Sequence, residues 1–144
     1  MTAEVKQDTG AAWSRRARDF MQASAMLLNP TRKRADLLYE LASLDNYLTE
    51  RTLFRNVGYW KAAPATLDDA SEALAHAAAD RLELGPQDRL LDVGFGYGDQ
   101  DMYWVEHFKP REIVGINITH SQIDHARRRV AERGMSDRIQ YQLA

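Results

Sequence analysis

Leu90-Leu91-Asp92-Val93-Gly94-Phe95-Gly96-Tyr97-Gly98-Asp99 passes from an apolar run to alternating glycines within a few residues. The apolar part reads as a short buried strand, Arg89 to Val93, and a helical pattern follows from Asp99 to Phe108. Gly94 allows a sharp turn off the strand tip, and Gly96 removes a side chain where a ligand would approach backbone amides. Gly98 allows the following helix to start close to the sheet. In open α/β sheets, ligands bind in the crevice at the carboxyl ends of the strands.

The same alternation continues downstream. Ile113 to Ile118 reads as a second strand, and Ser121 to Arg133 as a helix. That helix turns Ile123, Ala126 and Val130 inward and Arg127, Arg128 and Arg129 mostly outward, and Gly134 caps it. Arg138 to Leu143 begins a third strand. Strands alternating with helices imply parallel units with right-handed crossovers. Upstream, a helix is expected to open at Thr66, with Asp68 and Asp69 at its positive end. Its expected buried stripe is Leu67, Ala70, Leu74, Ala78 and Leu82, and Gly85-Pro86 ends it. Residues 52–66 read as a loop, and two further helical stretches cover 11–28 and 31–48. The expected organisation is a helical lid over residues 1–62 and a ligand-binding α/β half-domain over 63–144.

Two ligand classes compete for the glycine loop. A dinucleotide fingerprint is G-x-G-x-x-G, which brings a pyrophosphate to the helix N-terminus. Here the spacing is G-x-G-x-G, with Asp92 before it and Asp99 after it. Carboxylates at both ends would repel a pyrophosphate and suit a ligand carrying an ammonium or sulfonium charge. Asn117, at the end of the second strand, also lacks the acidic grip on a ribose that nicotinamide enzymes use there.

Composition narrows the classes further. The chain has 144 residues, 44% of them hydrophobic and 28% charged, as in ordinary globular proteins. A net charge of -2 argues against nucleic-acid binding by general basicity. There is no cysteine, hence no disulfide or thiolate metal site. No stretch approaches the roughly 18 apolar residues of a membrane span, and the polar start lacks a signal-peptide core. A cytoplasmic protein is the expectation.

Leu91 to Gly98 resembles motif I of class I S-adenosylmethionine-dependent methyltransferases. Ile113-Val114-Gly115-Ile116-Asn117-Ile118-Thr119-x-x-Gln122 resembles the next family motif. The wording is similar to the branch containing cyclopropane-fatty-acid synthases and bacterial natural-product methyltransferases. The resemblance runs from about Leu48 to the end. It implies a Rossmann-like parallel sheet, the first three strands of the class I fold, preceded by N-terminal helices. It implies S-adenosylmethionine as cofactor. Gly94, Gly96 and Gly98 would line its methionine part, and Asp92 would help hold its amino group. Asn117, Ile118 and Gln122 would contact the ribose and adenine. Asn56 and Tyr59 belong to an "N-x-G-Y-W" stretch, Asn56 to Trp60, that would close over cofactor and substrate.

The family's full fold has seven strands, and this sequence stops in or just after the third. The resemblance therefore leaves two expectations open. One is a methyltransferase acting on a small-molecule or lipid-like acceptor in secondary metabolism. The other is a non-catalytic cofactor-binding fragment, or one chain of an assembly with itself or a complementing chain. Bland readings stand beside the sharp ones. Asn117 reads also as a turn residue, Gln122 as solvated, and Tyr59 and Trp60 as packing. His76 reads as helix surface, and His107 as a complement to its helix dipole. Tyr103 and Trp104 read as core. His120, Asp124 and His125 lack a third partner for a metal, and no metal is expected.

Overall fold

A computed structural model describes residues 49–61 and 63–144. The helices expected over 11–28 and 31–48, and most of the expected lid, lie outside the described residues. The described elements are α1 (Leu67–Arg81), β1 (Arg89–Val93), α2 (Asp99–His107), β2 (Glu112–Asn117), α3 (His120–Glu132) and β3 (Ile139–Leu143). The strands are parallel, as the alternating pattern implies, and lie in the order β1-β2-β3. Leu90 lies opposite Ile113, and Ile113 opposite Ile139, so residues of one parity share each face.

One face of the sheet carries the core. Ile113, Ile139 and Tyr141 pack there against Met102, Trp104 and Val105 of α2 and Ile123, Ala126 and Val130 of α3. α1 starts as expected: the Thr66 side chain accepts from the Asp69 amide at 3.1 Å, and Asp68 and Asp69 occupy the first turn. α2 starts at Gly98, in the left-handed region at φ 79°. α3 ends into Gly134, at φ 65°.

Two expectations need correction. β1 lies where the apolar run puts it, but it is not buried: Leu91 is 64% and Val93 71% exposed. The packed helices cover only the face that bears Leu90, and among the described residues β1 has only β2 as neighbour. The buried stripe of α1 is also turned relative to the leucines. Ala70, Ser71, Ala75 and Ala79 face inward, whereas Leu67, Leu74 and Ala78 are only partly buried and Leu82 is exposed. Small residues bring α1 close to α2, where the Trp104 indole N–H donates to the Ala75 carbonyl at 2.8 Å. The longer leucines fall at the flank of that contact.

Gly98 and Gly134 have the same backbone hand but different surroundings. A Cβ on Gly134 would meet nothing within 4 Å, whereas one on Gly98 would lie 2.2 Å from the Tyr141 hydroxyl. Gly134→Ala is expected to cost about 1–2 kcal/mol of left-handed strain alone. Gly98→Ala should add a further ~1–3 kcal/mol of overpacking. Urea unfolding of the two variants checks this, and equal costs would contradict the packing.

Candidate functional site

The glycine corner opens on a cavity of about 250 Å³. Gly94 and Gly96 are left-handed, at φ 85° and 60°, and a Cβ on Gly94 would meet nothing within 4 Å. The turn begins where the Gly94 amide still donates to the Ile116 carbonyl of β2, at 2.8 Å. The strand tip thus delivers Asp92, Gly94, Phe95, Gly96 and Tyr97 to one wall. The facing wall comes from far upstream: Leu53, Phe54, Arg55 and Asn56.

A buried carboxylate holds that upstream wall in place. Asp68, 2% exposed, accepts from the backbone amides of Glu50, Arg51 and Thr52 at 2.8, 3.2 and 2.9 Å, and from the Thr52 hydroxyl. Burial works against its charge, but the Thr52 hydroxyl and the three amides outweigh burial and hold its carboxyl below the ordinary 3.8. One step on, the Leu53 amide donates to Asp99 at 3.1 Å. Further along, Asn56 accepts from the Gly58 amide, and the Tyr59 amide donates to the Ala70 carbonyl at 2.7 Å. A Cβ on Gly58 would lie 2.4 Å from that of Ala70, so the loop runs directly against α1. The sequence pattern showed Asp68 only as a helix-end charge. Its role as an anchor for residues 50–52 arises from contacts more than a dozen residues apart.

The charge of the glycine loop also differs from the sequence reading. Asp99 does not face a ligand with a free charge. Arg129 of α3 reaches it with both terminal nitrogens, at 2.6 and 2.7 Å, and also donates to the Tyr97 carbonyl at 2.9 Å. Arg129 therefore points inward, while Arg127 and Arg128 stay at the surface. Asp92 also faces the cavity, and among the described residues it has no ion pair. Across from it stands Arg55, whose guanidinium lies 5.2 Å from the centre of the Tyr97 ring.

Of the expected ligand residues, Asn56, Asp92, Gly94 and Gly96 line the cavity. Gly98 lies beneath it, pressed against Tyr141. Asn117 and Gln122 are buried and bonded to each other at 2.9 Å, and Asn117 also accepts from the amides of Ile118 and Thr119. They brace the tip of β2 and do not line the cavity. Ile118 and Tyr59 stand exposed outside it, as does Trp60. Tyr97, within the glycine motif, and Leu53 to Arg55 and Gln100, which no motif marks, also line the cavity without having been singled out in the sequence.

The histidines stay apart from this cavity. His76 meets the Tyr103 hydroxyl at 3.1 Å, and His107 the Tyr103 carbonyl at 2.9 Å, as a residue near a helix C-terminus does. His125 lies edge-on to Tyr97, and partial burial, Arg129 and Arg128 lower its pKa below 6.5. Among the described residues no group of three or more acidic or histidine side chains could hold a metal ion. No described helix is long and apolar enough to cross a membrane.

Comparison with known proteins places this geometry in a family. Residues 38–144 match the family model described as mycolic acid cyclopropane synthetase. The chain belongs to that family. Its matched part is a class I S-adenosylmethionine methyltransferase-type domain, related to cyclopropane synthases and natural-product methyltransferases. Over 108 residues the chain is 40% identical to the erythromycin 3''-O-methyltransferase of Saccharopolyspora erythraea, covering 75% of this chain and 35% of that enzyme. Among solved structures, the [4+2]-cyclase SpnF matches with a TM-score of 0.69 and 27% identity, over 80% of this chain and 43% of that one. The mycolic acid cyclopropane synthase CmaA1, solved with SAH and CTAB, matches with a TM-score of 0.61 and 29% identity, over 66% and 33%. The chain thus spans less than half the length of these relatives.

Asp68→Ala is expected to destabilise the protein by about 2–4 kcal/mol, since several amides lose a charged acceptor at once. The sign with pH follows from the lowered pKa. The contribution is present above 3.8 and is lost as pH falls through the depressed folded value. The gap between the native protein and the variant should therefore close in acid, as read by denaturant unfolding across pH. A gap that widens in acid would contradict the anchor.

Proposed function

We propose that this chain supplies the S-adenosylmethionine-binding part of a methyltransferase acting on a small-molecule or lipid-like acceptor. The observation that carries the reading is the open glycine corner with Asp92 on one side and Arg55 on the other. The methionine end of the cofactor carries an ammonium, a carboxylate and a sulfonium. A site with one carboxylate and one guanidinium complements that pattern, and a pyrophosphate would face Asp92 unfavourably. The residues present therefore fit the group.

When bound, S-adenosylmethionine supplies a methyl group activated on a positively charged sulfur. The chain's own residues bind and orient. Asp92 takes the ammonium, Arg55 the carboxylate, and Gly94 and Gly96 leave room beside the main chain. Ile118, exposed at the tip of β2, offers apolar cover on the nucleoside side, while Asn117 and Gln122 hold that tip rigid. Leu53, Phe54 and Asn56, on the facing wall, shield the bound group from water on that side. The relatives support such an acceptor: one is named an erythromycin 3''-O-methyltransferase, and another is a mycolic acid cyclopropane synthase. The same fold also carries a cyclase name, so acceptor chemistry rests on parts of the site beyond the glycine corner.

A second reading has its own support. The face of the sheet bearing Leu91 and Val93 is apolar and uncovered among the described residues. On this reading the unit binds cofactor but completes its sheet with further polypeptide before it catalyses. Size-exclusion chromatography decides between them: a monodisperse monomer that turns over disfavours it, and a self-associating, inactive chain favours it.

Isothermal titration with S-adenosylmethionine tests the main proposal. Asp92→Ala should weaken binding about tenfold or more, the loss of one charge-assisted bond of ~1.5–3 kcal/mol. Unchanged affinity in that variant, or no heat with the native protein, would overturn it.

A further inference from the structure

Behind Asp92 lies a second carboxyl that the site does not obviously use. Asp101, one turn into α2, has no exposed surface. Neither of its oxygens has an aligned conventional donor among the described residues, and the Tyr141 hydroxyl beside it is equally unsatisfied. A fully buried carboxylate with no cation and no donor is a costly arrangement. Its neighbours explain it. The Asp101 carboxyl lies beside that of Asp92, close enough for the two to perturb each other, with the Tyr141 hydroxyl next to it. Two ionised carboxylates cannot bond to each other, so the contact is favourable only if the pair keeps a proton.

The surroundings decide which carboxyl keeps it. Asp92 borders the cavity, whereas Asp101 is enclosed. Burial, then the Asp92 charge, then the Asp92 hydrogen bond push the Asp101 carboxyl well above the usual carboxylate range. Asp92 is raised by burial, and the bond from Asp101 pulls it back toward ionisation. β3 presents Tyr141, whose hydroxyl is raised by burial and then by Asp101. α3 presents Arg129, already committed to Asp99, and His125 beside Tyr97. β2 presents Gly115, opposite both Asp92 and Tyr141. α1 meets α2 through Ala75 and Trp104. Among the described residues, the cations nearest this level are Arg129, paired with Asp99, and Arg55, which stands across the cavity from Asp92.

We propose that Asp101 is a positioning residue, a buried proton donor that fixes the Asp92 carboxylate, singly charged and correctly turned, toward the cationic end of the cofactor. Asp101 touches no ligand and acts through Asp92. The inference rests on the cofactor reading above. It adds that the site's negative charge is a shared-proton pair and not a lone carboxylate.

The test uses the full chain with Asp101→Asn, which keeps a donor, and Asp101→Leu, which does not. Infrared spectroscopy of the ligand-free protein at neutral pH should show the carbonyl stretch of a protonated carboxylic acid in the native chain, absent from both variants. Titration with S-adenosylmethionine should show Asp101→Leu weakened about tenfold and Asp101→Asn within about twofold of native, the worth of one donor to a charged acceptor. The pH dependence of stability gives a third readout. A raised carboxyl pKa contributes stability at low pH that is lost as pH rises from 3.8 through the folded value. The native chain should therefore lose stability relative to Asp101→Asn toward alkaline pH. Absence of the acid band in the native protein overturns the proposal. So does an Asp101→Asn variant as weak as Asp101→Leu, or a Leu variant that folds and binds normally. If Asp101→Leu fails to fold, the Asn variant carries the test through the band and the stability profile. If the native chain binds no cofactor but shows the band, the cofactor reading and the positioning role fail, and only a structural shared proton stands.

Discussion

Phe95 and Tyr141 stack across the top of the sheet, their rings 3.9 Å apart and 18° from parallel, and the rest of the site is built over that pair. They can meet only because β2 runs under them as Gly115. A Cβ there would lie 2.6 Å from both rings. Gly98 makes the matching concession on the other side of Tyr141. Two missing side chains thus admit one aromatic pair, which ties the glycine loop after β1 to β3 across β2. The loop cannot relax toward the sheet, because that space is filled with rings. It cannot rise away from it, because Phe95 is held. The corner above Gly94 stays open as a consequence.

The opposite wall depends on a different kind of constraint. Residues 50–56 have no strand or helix of their own to satisfy their amides. They borrow acceptors from helix N-termini: Asp68 in the first turn of α1 and Asp99 at the start of α2. Both carboxylates sit where a helix dipole already favours negative charge, so their burial is less unfavourable than elsewhere. The same pair of residues therefore starts two helices and hangs a cavity wall between them. This explains how a segment without regular structure is held firmly enough to form part of a binding site.

The strands, the helices between them and the glycine corner were legible in the sequence because they are local. Each element carries its own period, and the spacing of Gly94, Gly96 and Gly98 states its own backbone demand. The burial of β1 was not legible. An apolar run such as Leu90-Leu91-Asp92-Val93 reads the same whether its second face is covered or not. The stripe of α1 misled for a related reason: leucines are the obvious inward residues, but close helix contact favours Ala70, Ala75 and Ala79. At the cavity, Asp92, Gly94 and Gly96 stood out by motif spacing, and Asn56 only by the family resemblance. Leu53 to Arg55, the Asp68 anchor and the Arg129–Asp99 pair did not, because they join residues far apart in the chain by single side-chain contacts. Asn117 and Gln122 were expected to contact the ribose and adenine; in the structure they bond to each other.

The distribution of charge around the corner then follows from what each carboxylate can reach. Asp99, Asp101 and Asp92 cluster at the junction of β1 and α2, and three free negative charges there would repel one another. Arg129 neutralises Asp99 through two short contacts, a geometry that only a guanidinium provides. Among the described residues no second arginine reaches Asp101, so the remaining way to reduce the charge is to keep a proton. One net negative charge is left, and it stands at the only carboxyl of the three that borders the open glycine corner without a cation bonded to it. The site's preference for a cationic ligand is thus a remainder: it is what an ion pair and a shared proton leave uncancelled.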